Sequence, residues 1–129
     1  MQKRFAVLGC LFSFFSVALG AFASHGLRNL LSSSDLEVFR TGVLYQFFHG
    51  LALLWLAVVP AEAKSIWLGR AGIFFVFGTV LFSGSLYFLV LTQIRIIGAI
   101  TPLGGVCFLL GWGSAVWGVM QSAWNVSRE

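Results

Sequence analysis

The hexapeptide Tyr45-Gln46-Phe47-Phe48-His49-Gly50 places a phenol, a carboxamide and an imidazole inside Thr41–Pro60, a stretch that carries no charge. Such groups can do two kinds of work. An imidazole can exchange a proton near neutral pH, and polar neighbours can orient a small ligand beside it. The same groups can instead hydrogen-bond between helices, each bond contributing about 0.6–2 kcal/mol. A histidine within an apolar span is a functional candidate because its burial is costly. Other polar residues interrupt later apolar runs, namely Ser83, Ser85, Tyr87 and Thr101. With Tyr45, Gln46 and His49 they form the candidate polar cluster. His25 and Arg40, at the edges of apolar runs, form a candidate outer-face site.

Several chemistries lack their residues. There is no nucleophile elbow, phosphate loop or HExxH motif, and no acid lies inside an apolar run. No catalytic residue and no cofactor is therefore expected, and the chain reads as a non-enzyme. Two histidines without a nearby carboxylate or thiolate make a poor metal site, so none is expected. Cys10 and Cys107 have neither metal-ligand nor disulfide-framework spacing. The net charge of +4 comes from scattered residues with no basic block, which excludes nucleic acid as a partner.

The cluster must be positioned by membrane-spanning helices. Of the 129 residues 59% are hydrophobic and 9% charged, too few charges to cover a soluble surface. Charges divide the chain into four apolar runs, about 5–23, 41–60, 71–92 and 96–121. Each approaches the roughly 20 helical residues that cross a bilayer. The expected fold is all-α, a single domain formed by a bundle of four transmembrane helices. The second helix can start at 35, because Ser34 with Glu37 three residues later fits a capping box. The first run has the basic start and small-residue end of a leader. It also carries Gly9, Ser13, Ser16 and Gly20, spaced as a heptad seam, which points to a retained helix. Gly104, Gly111 and Gly118, with Ala115 between them, repeat the device in the fourth run. Such glycines either pack helices or line a pore, and packing is the simpler reading.

On the second helix Thr41, Tyr45 and His49 form one stripe, and Gly42, Gln46 and Gly50 the next. Both should turn inward, leaving Leu44, Phe47, Leu51 and Leu54 to lipid. Lysines and arginines number five on the side of the termini (Lys3, Arg4, Lys64, Arg70, Arg128) and three on the other (Arg28, Arg40, Arg95). The larger count predicts cytoplasmic termini, with Trp67 and Trp124 as interface anchors. Depth counted along the helices then puts His49, Ser83, Gly104 and Ser16 about 12–13 Å below the outer surface.

The segments LGAFASHGL (19–27), TGVLYQFFHGLALL (41–54), LFSGSLYFLVLT (81–92) and ITPLGGVCFLLGW (100–112) resemble the signatures of the YgdD/YwdK family of small four-span bacterial inner-membrane proteins. Ala23 and Ser24 depart from that family's usual GAFGAHGL. The resemblance implies an inner-membrane location and no assigned activity. It carries over to His25, Gly26, Tyr45, Gln46, His49, Ser83, Gly84, Ser85, Tyr87, Thr101, Pro102, Gly104 and Gly105. The expected function is an accessory, scaffold or stabilising subunit that meets the lipid bilayer and a membrane-protein partner or a second copy. The alternative is a small-ligand or proton binding or transport protein that uses the polar cluster.

Overall fold

The computed structural model describes residues 2–60, 63 and 65–126, the last four as helix backbone only. Lys64, Arg128 and the side chain of Trp124 lie outside the described residues. The elements are α1 (Gln2–His25), α2 (Ser33–Val58), α3 (Ile66–Thr92), a 3₁₀ segment (Arg95–Ala99) and α4 (Thr101–Val126). All four α-helices are long and apolar enough to cross a membrane. In lipid the helix satisfies every backbone group within its own segment, so even the β-branched and aromatic stretches of α3 are helical.

The ends of the helices follow local chemistry. The cap of α2 is Ser32, not Ser34: its Oγ accepts the Asp35 N–H at 3.1 Å. The helix thus starts two residues earlier than expected, and Asp35 takes the third position in place of Glu37. Three consecutive serines offer equivalent caps. The helix gains length because Leu36 and Phe39 dock against Ala23, Leu27 and Val90. Val59 is extended, as a residue before proline must be, and ends the helix. Gln93 ends α3 in the left-handed region at φ 59°. Its side-chain amide donates to Asp35 Oδ2 at 3.1 Å, tying the ends of α2 and α3 together. The fourth span starts later than 96 because residues 95–99 form the 3₁₀ segment. Pro102 then sits in the first turn of α4, where its missing N–H is no loss.

The helices pack mainly in chain order, α1 on α2, α2 on α3 and α3 on α4. Residues 26–32 and 93–100 share one end, here the loop end. Gln2, Val59 and Ser65 share the other, the terminal end, where the Gln2 amide donates to the Val59 carbonyl at 2.7 Å.

Small residues set how closely the backbones approach. A Cβ on Gly9 would lie 2.7 Å from the Gly50 carbonyl oxygen, and one on Gly50 2.8 Å from Ser13 Oγ. Ser16 is buried beside them. Gly20 is looser, with Val43 at 3.5 Å, so the seam of α1 does not run its full length. Gly104, Gly111 and Gly118 all face α3: a Cβ there would meet the backbone of Phe82, the ring of Phe75 and the side chain of Leu68. Ala115 is buried on the same face.

Candidate functional site

Gln46 sits on α2 between Gly42 and Gly50, and all three are buried. The glycines admit the neighbours. A Cβ on Gly42 would lie 2.8 Å from the Tyr87 ring, so Tyr87 of α3 can cross there. Its hydroxyl donates to Gln46 Oε1 at 2.9 Å. The other side of the amide turns to α1, where Nε2 donates to the Phe12 carbonyl at 3.0 Å. One side chain therefore binds α1 and α3 to α2. Beside it Ser83 Oγ donates to the Gly42 carbonyl at 2.6 Å.

His49 is 4% exposed and belongs to a different contact. The Trp112 indole N–H of α4 donates to His49 Nε2 at 3.2 Å. An indole can only donate, so Nε2 carries no proton in this arrangement. The proton is on Nδ1, which donates to the Tyr45 carbonyl at 2.7 Å. Both ring nitrogens of a neutral imidazole are thus used. The ring stacks on Phe108, with centroids 3.5 Å apart and planes 8° from parallel. Phe75 closes over it at 5.3 Å.

Ser85 and Thr101 form a third group, with their hydroxyls 2.6 Å apart across α3 and α4. Ser85 also donates to the Phe82 carbonyl at 2.9 Å. Six of the seven expected residues therefore fall into three separate hydrogen-bonded groups. A carboxamide, a hydroxyl pair and an imidazole each find a nearer partner on the adjacent helix than on one another.

Tyr45 departs from the inward placement. It is 39% exposed, with its ring against Phe82 at 4.6 Å, and its hydroxyl enters none of these bonds. It borders a groove of about 580 Å³ with Phe48, His49, Leu51, Trp55 and Trp112. The lipid-facing side is also narrower than expected. Leu44 and Leu51 are exposed, but Leu54 lies over Gly9 of α1, and Phe47 is half-buried. The close approach of α1 at Gly9 draws Leu54 into the interface. His25 and Arg40 are both exposed. Arg40 borders a shallow groove with Ser16, Val17 and Phe47 that His25 does not line. Among the described residues no group of three or more His, Cys, Asp or Glu comes together.

Nothing in the sequence named Trp112 and Phe108 as the partners of His49. An indole in a span needs an acceptor, which marks Trp112 as a residue seeking a partner. A separation of 63 residues gives no hint of which partner.

A family model described as "Protein of unknown function (DUF423)" matches residues 19–105. A UPF0382 membrane protein of Staphylococcus saprophyticus is 48% identical over 120 residues, covering 93% of this chain and 99% of its own length. The UPF0382 inner membrane protein YgdD of Escherichia coli K12 is 43% identical over 122 residues, covering 94% and 93%. No solved structure matches. Family model and relatives include the first three segments that carried the resemblance and the start of the fourth, and the relatives extend over nearly the whole four-helix chain, which therefore belongs to the DUF423 family of membrane proteins of unknown function.

Proposed function

We propose that this chain is a non-enzymatic inner-membrane protein, an accessory, scaffold or stabilising subunit whose polar residues hold its helices together. One observation carries the reading. Among the described residues Ser13 Oγ is the one buried side-chain polar atom without a hydrogen-bond partner. Gln46, His49, Ser83, Ser85, Tyr87 and Thr101 are all engaged with one another, with Trp112 or with helix carbonyls. Groups engaged in this way rigidify a bundle and are not free for a reaction. The partner in this reading is a membrane protein or a second copy, seated on the exposed faces of α1 or α4.

The termini are cytoplasmic in this proposal. Lys3, Arg4 and Arg70 lie toward the terminal end, and Arg28, Arg40 and Arg95 toward the loop end. Lys64 and Arg128 complete the five-to-three count in sequence. An alkaline phosphatase fused to the C-terminus should be inactive, and an active fusion would invert the topology.

The groove beside His49 favours a second reading, in which Tyr45, His49 and Trp112 receive a small ligand or relay a proton. Purification from native membrane in a gentle detergent, with mass spectrometry of everything retained, separates the two. The subunit reading expects a stoichiometric protein partner or a defined oligomer, with no small molecule other than phospholipid. A stoichiometric small molecule that is lost in His49→Gln while the fold survives would establish the second reading instead.

A further inference from the structure

At the terminal end α1 opens with Gln2-Lys3-Arg4-Phe5, and Phe5 inserts over Gly72 of α3, where a Cβ would fall on its ring. The insertion leaves two hollows with a shared wall. One is a mouth of about 330 Å³ between the start of α1, the end of α2 and the start of α3, bordered by Lys3, Leu56, Ser65 and Leu68. The other is a groove of about 530 Å³ along α1 and α3, with Arg4 at its rim and Leu8, Ile73, Val76 and Phe77 as its walls. Phe5 borders both. Lys3 borders the mouth and Arg4 the groove, and in the first turn of α1 both side chains lean toward the start of the helix.

The geometry points to a seat for one anionic glycerophospholipid, with its phosphate over the start of α1 within reach of Lys3 and Arg4, its headgroup at the mouth and one acyl chain in the α1–α3 groove. The charge at this end selects the class. Arg70 lies at the same end, stacked on Trp67 at 4.6 Å. In sequence the terminal end carries five Lys or Arg against two acids, Glu62 and Glu129, and the loop end three against two, Asp35 and Glu37. A zwitterionic headgroup would bring its own ammonium against Lys3, whereas a phosphatidylglycerol brings only the phosphate. The neutral polar groups of the mouth are already engaged: the Gln2 amide donates to the Val59 carbonyl, and Ser65 Oγ accepts from the Trp67 N–H. Recognition of the headgroup therefore rests on the two cations. Below them the groove wall from Ile73 to Phe77 is about 6 Å of helix lined by apolar side chains, the surface an acyl chain requires.

The test is native mass spectrometry of the full chain in detergent, titrated with phosphatidylglycerol or with phosphatidylcholine of the same acyl chains. The wild type should retain one phosphatidylglycerol in preference to phosphatidylcholine. The exposed pair Lys3→Gln/Arg4→Gln should lower that preference roughly tenfold, with helicity unchanged. Arg70→Gln removes a charge from the same end without touching either hollow, and should keep the preference. Ile73→Trp fills the groove and should reduce retention of both lipids. Equal retention of the two lipids by the wild type would overturn the proposal. So would an equal loss per charge in Arg70→Gln, which would mean attraction to the general field, or unchanged binding by Ile73→Trp, which would leave the chain without its seat.

Discussion

The α1–α2 and α3–α4 hairpins use the same small-residue spacing to different ends. Between α3 and α4 the seam runs the length of the helices. Gly104 meets backbone at Phe82, Gly111 and Gly118 receive Phe75 and Leu68, and Gly78 of α3 receives Phe108 in return. Between α1 and α2 the close approach is confined to Gly9, Ser13 and Gly50, and it has opened to ordinary contact by Gly20. Within that close stretch Gln46 adds a hydrogen bond to the Phe12 carbonyl. Two glycines at heptad spacing permit approach, and what the facing helix presents decides whether approach occurs. On α3 the Phe82 backbone, the Phe75 ring and the Leu68 side chain fill the space opposite the glycines of α4. Val43 leaves Gly20 in loose contact.

The comparison is broken most directly at Gly104. A Cβ there would lie 2.7 Å from the Phe82 Cα, and backbone cannot step aside. Gly104→Leu should lose stability at the upper end of the ~1–3 kcal/mol that overpacking costs, read as a drop in melting temperature in detergent. Gly111→Leu meets the Phe75 ring and should lose somewhat less. Unchanged melting in both would remove the seam as the basis of the α3–α4 hairpin.

Next in size is Gln46→Leu, which tests whether the first hairpin depends on hydrogen bonding. It strands the Tyr87 hydroxyl and frees the Phe12 carbonyl, at a cost of about 1–3 kcal/mol. Adding Tyr87→Phe should restore part of the loss, because the stranded donor is then gone. Full additivity in the double-mutant cycle would show that the two side chains do not interact.

Trp112→Phe probes the contact between the hairpins. It removes one donor from His49 and should cost about 0.6–1.7 kcal/mol. His49→Gln should fall in the same range if the imidazole holds helices together. The smallest effect sharpens the contrast within α1. Gly20→Ala should be neutral or stabilising by up to about 1 kcal/mol, while Gly9→Ala, crowded by the Gly50 carbonyl, should destabilise. Equal effects at the two positions would mean that the α1 seam is uniform after all.

Much of the fold was legible in the sequence because a bilayer narrows the choices. Charges had to fall between the spans, and backbone within them had to be helical. Polar residues on α2 had to turn toward protein, which Gln46 and His49 do and Tyr45 does only in part. The cap of α2 was less legible, since Ser32, Ser33 and Ser34 are chemically alike and the docking of Leu36 and Phe39 selects among them.

By itself the sequence determined four helices, their antiparallel order, the buried stripe of α2 and the glycine face of α4, because each follows from hydropathy and helical period along one segment. Only the tertiary structure decided the partners. Tyr87 reaches Gln46 because Gly42 leaves room for its ring, Trp112 reaches His49 across the bundle, and Ser85 pairs with Thr101 in isolation from both. A hydrogen bond depends on position to a few tenths of an ångström, and helical period places a residue on a face but not opposite a given atom. The division of one expected cluster into three groups was therefore beyond any count along the chain.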